Sequence, residues 1–203
     1  GFPQHPYRLR VVKARIRADL GDPDGAIALL DEAERRYVSD MFPYVHPIPA
    51  IRARIWIGQH RFDAFFAWAQ ARELTPDDEV SYLRAFEELT LARGLLAHAA
   101  ARRSTAIEPT MRLLDRLGQA AQDGEWTAFQ IEALLLQALG YRQLGEPSAA
   151  HASLEHALAL AEPGGYIRLF VDEGEPMRQL MQTVAETTPG AYFERILRAW
   201  NTP

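Results

Sequence analysis

Apolar residues recur along most of the chain at the spacing of α-helices that bury one face. The clearest stretch, residues 130–144, follows the i, i+3, i+4, i+7, i+8 pattern of such a helix. Its apolar positions are Ile131, Leu134, Leu135, Ala138 and Leu139. A second stripe, beyond Pro147, consists of Ala150, Leu154, Ala157, Leu158 and Ala161. No alternating stretch is long enough for a strand, so the pattern predicts an all-α fold.

Glycine, an acidic residue and proline stand in that order at three points between predicted helices. The three turns are Gly21-Asp22-Pro23, Gly145-Glu146-Pro147 and Gly174-Glu175-Pro176. Glycine can adopt the left-handed conformation that ends a helix, and proline suits the first turn of the next one. Each turn therefore predicts a hairpin of two antiparallel helices. Because one hairpin cannot bury its apolar face alone, neighbouring hairpins must stack. We predict a right-handed α-solenoid of tetratricopeptide-like helix–turn–helix repeats, forming a single domain over residues 1–203.

The same pattern places helices along the rest of the chain. In order, they span residues 7–20, 24–37, 50–58, 61–74, 75–100, 110–122, 126–144, a segment after Pro147, 166–172, 176–186 and 189–200. The apolar side of the first helix is assigned to Leu9, Val12, Ile16 and Leu20. Residues 166–171 also have a strand-like composition, but a helix is predicted because a repeat begins there. Three prolines between residues 39 and 50 predict an irregular loop, and the turn near residue 59 is centred on either Gly58 or His60.

Composition and charge restrict the classes of function. The net charge of −5 and the absence of an evident basic face argue against direct nucleic-acid binding. The chain has no cysteine, so it forms neither a disulfide nor a thiolate metal site. It also lacks an apolar run of the ~20 residues that span a membrane. A cytoplasmic protein is expected.

Candidate catalytic and metal-binding residues are few. His151 and His156 are five positions apart, so they do not share a helical face as a metal-binding pair would. The acidic run 77–79 could act as paired carboxylates, but a helix start explains it better through the helix dipole. We therefore predict no enzyme activity, no catalytic residue and no metal site.

Four stretches, taken in order and spacing, carry a family resemblance. They are residues 47–57 (PIPAIRARIWI) with 61–64 (RFDA); 81–84 (SYLR), 86–87 (FE) and 90–93 (TLAR); 131–132 (IE) and 134–139 (LLLQAL); and 157–163 (ALALAEP) with 165–166 (GY), Arg168, Phe170, 172–174 (DEG) and Met177. This set resembles the repeat domain of the large ATP-dependent LuxR-type bacterial transcription activators, the family of the maltose regulon activator. The resemblance implies a domain that binds a small inducer and helps the regulator to self-associate.

The resemblance also implies modules that these residues do not contain. In that family a nucleotide-binding module and a helical wing precede the repeats, and a DNA-binding module follows them. The chain has no G-x-x-x-x-G-K-[ST] phosphate loop. We therefore expect a fragment without a cofactor of its own, with ATP bound only by the upstream module and with the missing modules as partners.

Five residues are candidate ligand contacts. Glu87, Arg93 and Glu132 fall in the first helices of their repeats, which line the concave face of a right-handed solenoid. Trp56 and Trp126 could stack on the inducer if it is a sugar. The alternative for the charged residues is an internal ion pair that sets the repeat register, or surface charge. For the tryptophans the alternative is core packing.

Two further interpretations stay open at this stage. Arg168 and Asp172 are four apart, which suits an ordinary helical ion pair, although a contact with the missing downstream module would use the same residues. The whole chain could instead be a stand-alone adaptor that holds a partner's peptide in its groove. A single lysine and a single asparagine argue against the carboxylate clamp of such adaptors.

Overall fold

The computed structural model describes residues 5–37, 45–185 and 190–200, and the regular structure within these ranges is entirely α-helical. The helices are α1 (His5–Asp19), α2 (Pro23–Arg35), α3 (Ile48–Gly58), α4 (Phe62–Ala71), α5 (Ala85–Ala101), α6 (Glu108–Asp123), α7 (Thr127–Leu144), α8 (Pro147–Ala161), α9 (Ile167–Val171), α10 (Glu175–Val184) and α11 (Ala191–Ala199). The predicted all-α fold of helical repeats is thus confirmed. The helices form two compact units, Gly1–Thr75 and Pro76–Pro203. The single domain over residues 1–203 stays a prediction.

The first unit consists of two helix hairpins, α1–α2 and α3–α4. α1 packs against α2, and α2 also packs against α3. The side chains buried in the first hairpin are Tyr7, Val11, Ala14, Ala26, Leu30 and Ala33. Ion pairs join α2 to both of its neighbours. Arg10 of α1 bonds Glu32 of α2 at 2.9 Å. Arg52 of α3 lies 2.8 Å from Asp31 and 2.7 Å from Glu34, both on α2.

The apolar side assigned to α1 was wrong. Leu9, Val12 and Ile16 are 54%, 54% and 52% exposed, and Leu20 is 71% exposed. α1 carries two apolar stripes on opposite sides, and the packed one contains Tyr7, Val11 and Ala14. Small residues such as Ala14 and Ala26 let two helix backbones approach closely, which explains why this stripe meets α2.

The second unit is built around α7. α6 packs on one side of α7 and α8 on the other, and α5 contacts both α6 and α7. α7 and α8 pack together with α9, α10 and α11 in one apolar core. The largest fully buried side chains of this core are Ile131, Leu135, Leu154, Phe170 and Met177. Because α7 is covered on both sides, it buries residues on more than one face between Phe129 and Gly140, including Ala133 and Leu136.

Main-chain hydrogen bonds close most of the C-terminal helix ends in the described residues. At seven ends a residue with positive φ is followed by an N–H that donates to the carbonyl five residues earlier, which is the Schellman arrangement. The seven bonds are Asp22→Arg17, Arg61→Trp56, Leu74→Ala69, Ser104→Ala99, Trp126→Ala121, Glu146→Tyr141 and Tyr166→Ala161. Gly21 and Gly145, with φ of 79° and 78°, confirm the predicted turns. His60, with φ of 56°, is the centre of the turn that was left open between Gly58 and His60.

The start of the long predicted helix was wrong. Helix was expected from residue 75, but α5 begins at Ala85 and residues 76–84 form irregular turns. Tertiary contacts hold this segment: Tyr82 packs against Trp126 and Phe129, and Arg116 donates to the carbonyl of Pro76. We infer that these contacts outweigh the local helix signal of the proline and acidic residues.

Three other boundaries differ in small ways. α3 begins at Ile48 and takes Pro49 into its first turn, where a proline fits, so the predicted loop ends earlier. The predicted helix over 166–171 is present as α9 (Ile167–Val171), with Tyr166 at its N-cap. The last helix begins at Ala191, and parts of the predicted loop 39–49 and of the predicted helices near 186–189 lie outside the described residues.

Candidate functional site

A buried ion-pair network joins three elements of the second unit. Arg93 of α5 donates to Glu132 of α7 at 2.8 Å and to Glu173, which connects α9 to α10, at 2.7 Å. The side chains of Arg93, Glu132 and Glu173 are 14%, 5% and 3% exposed. Buried ion pairs of this kind need good geometry and several hydrogen bonds to offset the loss of water. The network therefore fixes the relative positions of α5, α7 and the α9–α10 connection.

The network holds two carboxylates against one guanidinium. Burial by itself would lower the pKa of Arg93, but the negative charges of Glu173 and Glu132 and their hydrogen bonds raise the pKa above its usual range. Arg93 thus stays charged. The second carboxylate leaves an excess of hydrogen-bond acceptors, which suits recognition of a group that donates hydrogen bonds.

The pairing of Arg93 with Glu132 agrees with the internal ion pair that was the alternative to ligand binding. Both residues were sequence candidates, and a role in ligand binding stays a prediction for them. Glu173 was missed as a member of the cluster. It lies 80 residues from Arg93, and no local pattern links two positions so far apart.

Two consecutive glutamates at the start of α5 are also buried. Glu87, a sequence candidate, is 2% exposed, and Glu88 is fully buried. Neither carboxylate oxygen of Glu88 has a hydrogen-bond partner among the described residues. Burial raises the pKa of Glu88 to about 7. The nearby charges of Arg84 and Arg116 oppose this rise in pKa, whereas those of Asp78 and Glu87 reinforce it.

The sequence contained a signal for Glu88 that was not used. Ala85, Glu88 and Ala92 are spaced i, i+3, i+7, so Glu88 occupies a position of the apolar face of α5. A glutamate in such a position is either paired, protonated or functional. Ala85 and Ala92 are fully buried, as the pattern requires.

An aromatic cluster lies where the irregular segment 76–84 meets α7. The ring centroids of Tyr82 and Trp126 are 5.1 Å apart, and those of Tyr82 and Phe129 are 6.0 Å apart. Trp126 is half-buried and directly precedes α7, and a Cβ on Gly124 would collide with its indole ring. Tyr82 keeps 43% of its surface exposed. Trp126 is about 9 Å along the helix axis from Glu132, given a rise of ~1.5 Å per residue.

Trp56 belongs to the first unit, whereas the other four candidates belong to the second. It lies on α3, is half-buried, and has the guanidinium carbons of Arg52 and Arg61 each 6.0 Å from its ring centroid. Its indole nitrogen is buried and has no hydrogen-bond partner among the described residues. Two arginines next to the ring fit the packing alternative, while stacking on a ligand stays a prediction.

Other candidates from the sequence have ordinary surroundings. Arg168 and Asp172 form the predicted i, i+4 ion pair at 2.7 Å, with the arginine side chain 59% exposed. His151 lies 3.2 Å from the hydroxyl of Thr183. Within residues 5–37, 45–185 and 190–200, no three His, Asp or Glu side chains are placed to hold a metal ion. In the same ranges, no helix combines the length and hydropathy that a bilayer crossing needs.

Comparison with known proteins identifies the repeats. A family model described as MalT-like TPR region matches residues 2–187, which is most of the chain. No curated protein matches, and no solved structure does.

Proposed function

The chain belongs to the MalT-like TPR region family, and from this premise we propose that it is the ligand-sensing and self-association domain of a LuxR-type bacterial transcriptional regulator. In this role the domain is non-catalytic and works in the cytoplasm. It binds a small inducer and does not itself contact nucleic acid. ATP and DNA are bound by other modules of the same polypeptide.

The buried network of Arg93, Glu132 and Glu173 is the observation that supports a sensor most directly. It ties together elements up to 80 residues apart, so a ligand that exchanges hydrogen bonds with it would affect all of them. Charged groups held inside a fold are common at binding sites, because they orient a ligand with strong, directional bonds. Glu87 on the same helix extends the set of buried carboxylates.

A polyhydroxy compound, such as a sugar, is the ligand class that fits these groups best. Its hydroxyls can donate to carboxylates and accept from a guanidinium, while its C–H face can rest on an aromatic ring. Tyr82 and Trp126 offer such rings within the second unit. Stacking of a ligand on Trp56, in the first unit, is a separate proposal.

Sensing would work by a population shift. A ligand favours the self-associating form of the regulator only by its difference in affinity between that form and the resting form. If the ligand bonds Glu132 and Arg93, it stabilises the arrangement of α5 and α7 that allows self-association. Thermodynamic linkage then requires that self-association also tightens binding of the ligand.

Ligand binding can be tested by thermal shift and calorimetry against a panel of sugars and other metabolites. We expect one polyhydroxy compound to raise the unfolding temperature, and Glu132→Gln to weaken its binding at least tenfold. Glu155→Gln is the matched control, because Glu155 is exposed on α8. Light scattering on the full-length regulator should show ligand-dependent assembly.

Two results would contradict the proposal. A full-length regulator that never assembles with any nucleotide or metabolite would remove the sensor role. Tight binding of an extended peptide, with no small ligand found, would favour the adaptor alternative instead.

A further inference from the structure

Glu88 is a carboxyl group enclosed by the fold without a hydrogen-bond donor of its own. Its side chain is fully buried, and neither of its two oxygens has a hydrogen-bond partner among the described residues. An ionised carboxylate in such a place is strongly disfavoured, so the group either keeps its proton or regains contact with water. The two protonation states of Glu88 therefore require two different surroundings.

The charges around Glu88 show which part of the chain lies close to it. Burial raises the pKa of Glu88 to about 7, and four charged groups modify this effect. In decreasing order they are Arg84, Asp78, Arg116 and Glu87. The arginines favour the carboxylate, whereas the two acids favour its protonated form. Arg84 and Asp78 both belong to the irregular segment 76–84, so this segment folds back toward the carboxyl group.

The rest of α5 is fixed in place by its partners. Arg93 bonds Glu132 of α7 and Glu173 between α9 and α10. The other charged residue of α7, Arg142, donates to groups of α10. These bonds tie α5, α7 and α10 to one another beyond the first turn of α5. Relief for an ionised Glu88 must therefore come from the side of the segment 76–84.

Burial changes abruptly where the segment 76–84 joins α5. None of the nine residues of the segment is buried, and five of them are exposed, among them Tyr82 and Leu83. The next eight residues, 85–92, are all buried. Parts of a protein with little buried surface open at a lower free energy than its core helices. The segment is therefore the part of this region that can open most easily.

Side-chain contacts near both ends of the segment hold it closed. At its start Arg116 of α6 donates to the carbonyl of Pro76, and near its end Tyr82 packs on two aromatic rings, one in α7 and one directly before it. The main-chain N–H of Glu88 donates to the carbonyl of Arg84 at 2.9 Å. Because this bond joins the segment to the first turn of α5, outward movement of the segment would let water reach the Glu88 carboxyl group.

We propose that the segment 76–84 is a pH-sensitive cover, which closes over the first turn of α5 when Glu88 is protonated and opens when Glu88 is ionised. In the open form water solvates the carboxylate, and Tyr82 leaves the rings of Trp126 and Phe129. An aromatic surface next to the start of α7 is then uncovered. The inference rests on burial and packing, and it does not depend on the proposed sensor role.

The direction of the pH effect follows from the proton that the closed form retains. The pKa of Glu88 is about 7 when it is buried, and its ordinary value is 4.5. Between these values the closed form binds a proton that the open form has lost, so a rise in pH favours opening. The opening constant should therefore increase from about pH 4.5 and level off above about pH 7.

Hydrogen exchange followed by mass spectrometry tests the proposal on the 203-residue chain. The reporters are the amides of residues 88–91, near the start of α5. After correction for the intrinsic exchange rate at each pH, their opening constant should rise by about tenfold or more from pH 5 to pH 8. Glu88→Gln, which keeps the shape but cannot ionise, should abolish this rise. Glu79→Gln is the matched control, since Glu79 is an exposed acid of the same segment, and it should leave the rise unchanged.

Urea separates opening of the segment from unfolding of the whole unit. A local opening exposes little surface, so exchange of residues 88–91 should change little at low urea concentration. Amides of residues 134–138, in the middle of α7, should instead speed up steeply with urea. The proposal is overturned if residues 88–91 show the same urea dependence as residues 134–138, because the segment would then have no opening of its own. It is also overturned if Glu88→Gln keeps the pH-dependent rise, or if the unchanged protein shows none.

Discussion

The two halves of α5 bury charge in different ways. In its first turn Glu88 is fully buried without a hydrogen-bond partner among the described residues, whereas Arg93, five residues later, binds two carboxylates. The same helix therefore holds one ionisable group that stays charged and one whose burial raises its pKa to about 7. The difference teaches that a built-in partner keeps a buried group charged, whereas burial without a hydrogen-bond partner among the described residues favours the protonated form.

Replacing Arg93, the charged group that has partners, should change the free energy of unfolding more than any other substitution in α5 considered below. Arg93→Met leaves Glu132 and Glu173 buried side by side, and breaking a buried ion pair in this way costs about 3–5 kcal/mol. We expect a loss of that size in the free energy of unfolding, measured in urea. Arg168→Met is the control, since its exposed pair with Asp172 should be worth less than ~1 kcal/mol. If Arg93→Met lowered the free energy of unfolding by less than ~1 kcal/mol, the result would mean that water solvates the carboxylates of Glu132 and Glu173.

The second largest effect should be the pH dependence that Glu88 gives to the free energy of unfolding. In the unfolded chain its pKa is near 4.5, and burial raises the folded pKa to about 7. Between these values the folded state binds a proton that the unfolded state has lost, so this group lowers stability as the pH rises from about 4.5 to 7. At ~1.4 kcal/mol per pH unit, the full effect is at most about 3.5 kcal/mol.

Comparison with Glu88→Gln isolates this effect, because glutamine has the same shape and cannot ionise. The variant and the unchanged protein should be similarly stable near pH 4.5, and the variant should be more stable by up to about 3.5 kcal/mol at pH 8. Glu79→Gln serves as the matched control, since Glu79 is exposed in the segment 76–84. A difference that does not vary with pH would show that Glu88 finds a partner in solution.

Replacing Thr90, which lies between Glu88 and Arg93 on α5, should have the smallest effect on stability. Its hydroxyl is fully buried between the two charged positions and donates to the carbonyl of Phe86 on its own helix at 2.6 Å. Since that carbonyl can still accept the helical N–H bond, Thr90→Val should cost no more than about 1 kcal/mol. Thermal unfolding at pH 6 and pH 8 should give the same small change at both values. A larger loss would mean that Thr90 helps to position Glu87 or Arg93.

The hairpins could be predicted where their signals are local. A glycine followed by an acid and a proline determines a turn within a few residues, and Gly21 and Gly145 adopt the expected left-handed conformation. The turns at His60, Glu73, Arg103 and Glu125 could not be located in this way. Their side chains give no local sign of positive φ.

The candidate site was only partly predictable for a similar reason. Arg93 and Glu132 could be named because polar residues within apolar helices are visible in a sequence. Glu173 could not, because its partner is distant along the chain. The start of α5 was misplaced because the contacts of Tyr82 with Trp126 and Phe129 are tertiary.

The helix ends that close through main-chain bonds need no side-chain cap at those positions. At Glu73, Arg103 and Glu125 the exposed side chains lie at positive φ, so residues that tolerate this conformation, such as glycine or asparagine, can replace them without moving the helices. Surface chemistry can therefore drift, or be engineered with dyes and affinity tags, at the corners of the repeats while the geometry of the interior is preserved.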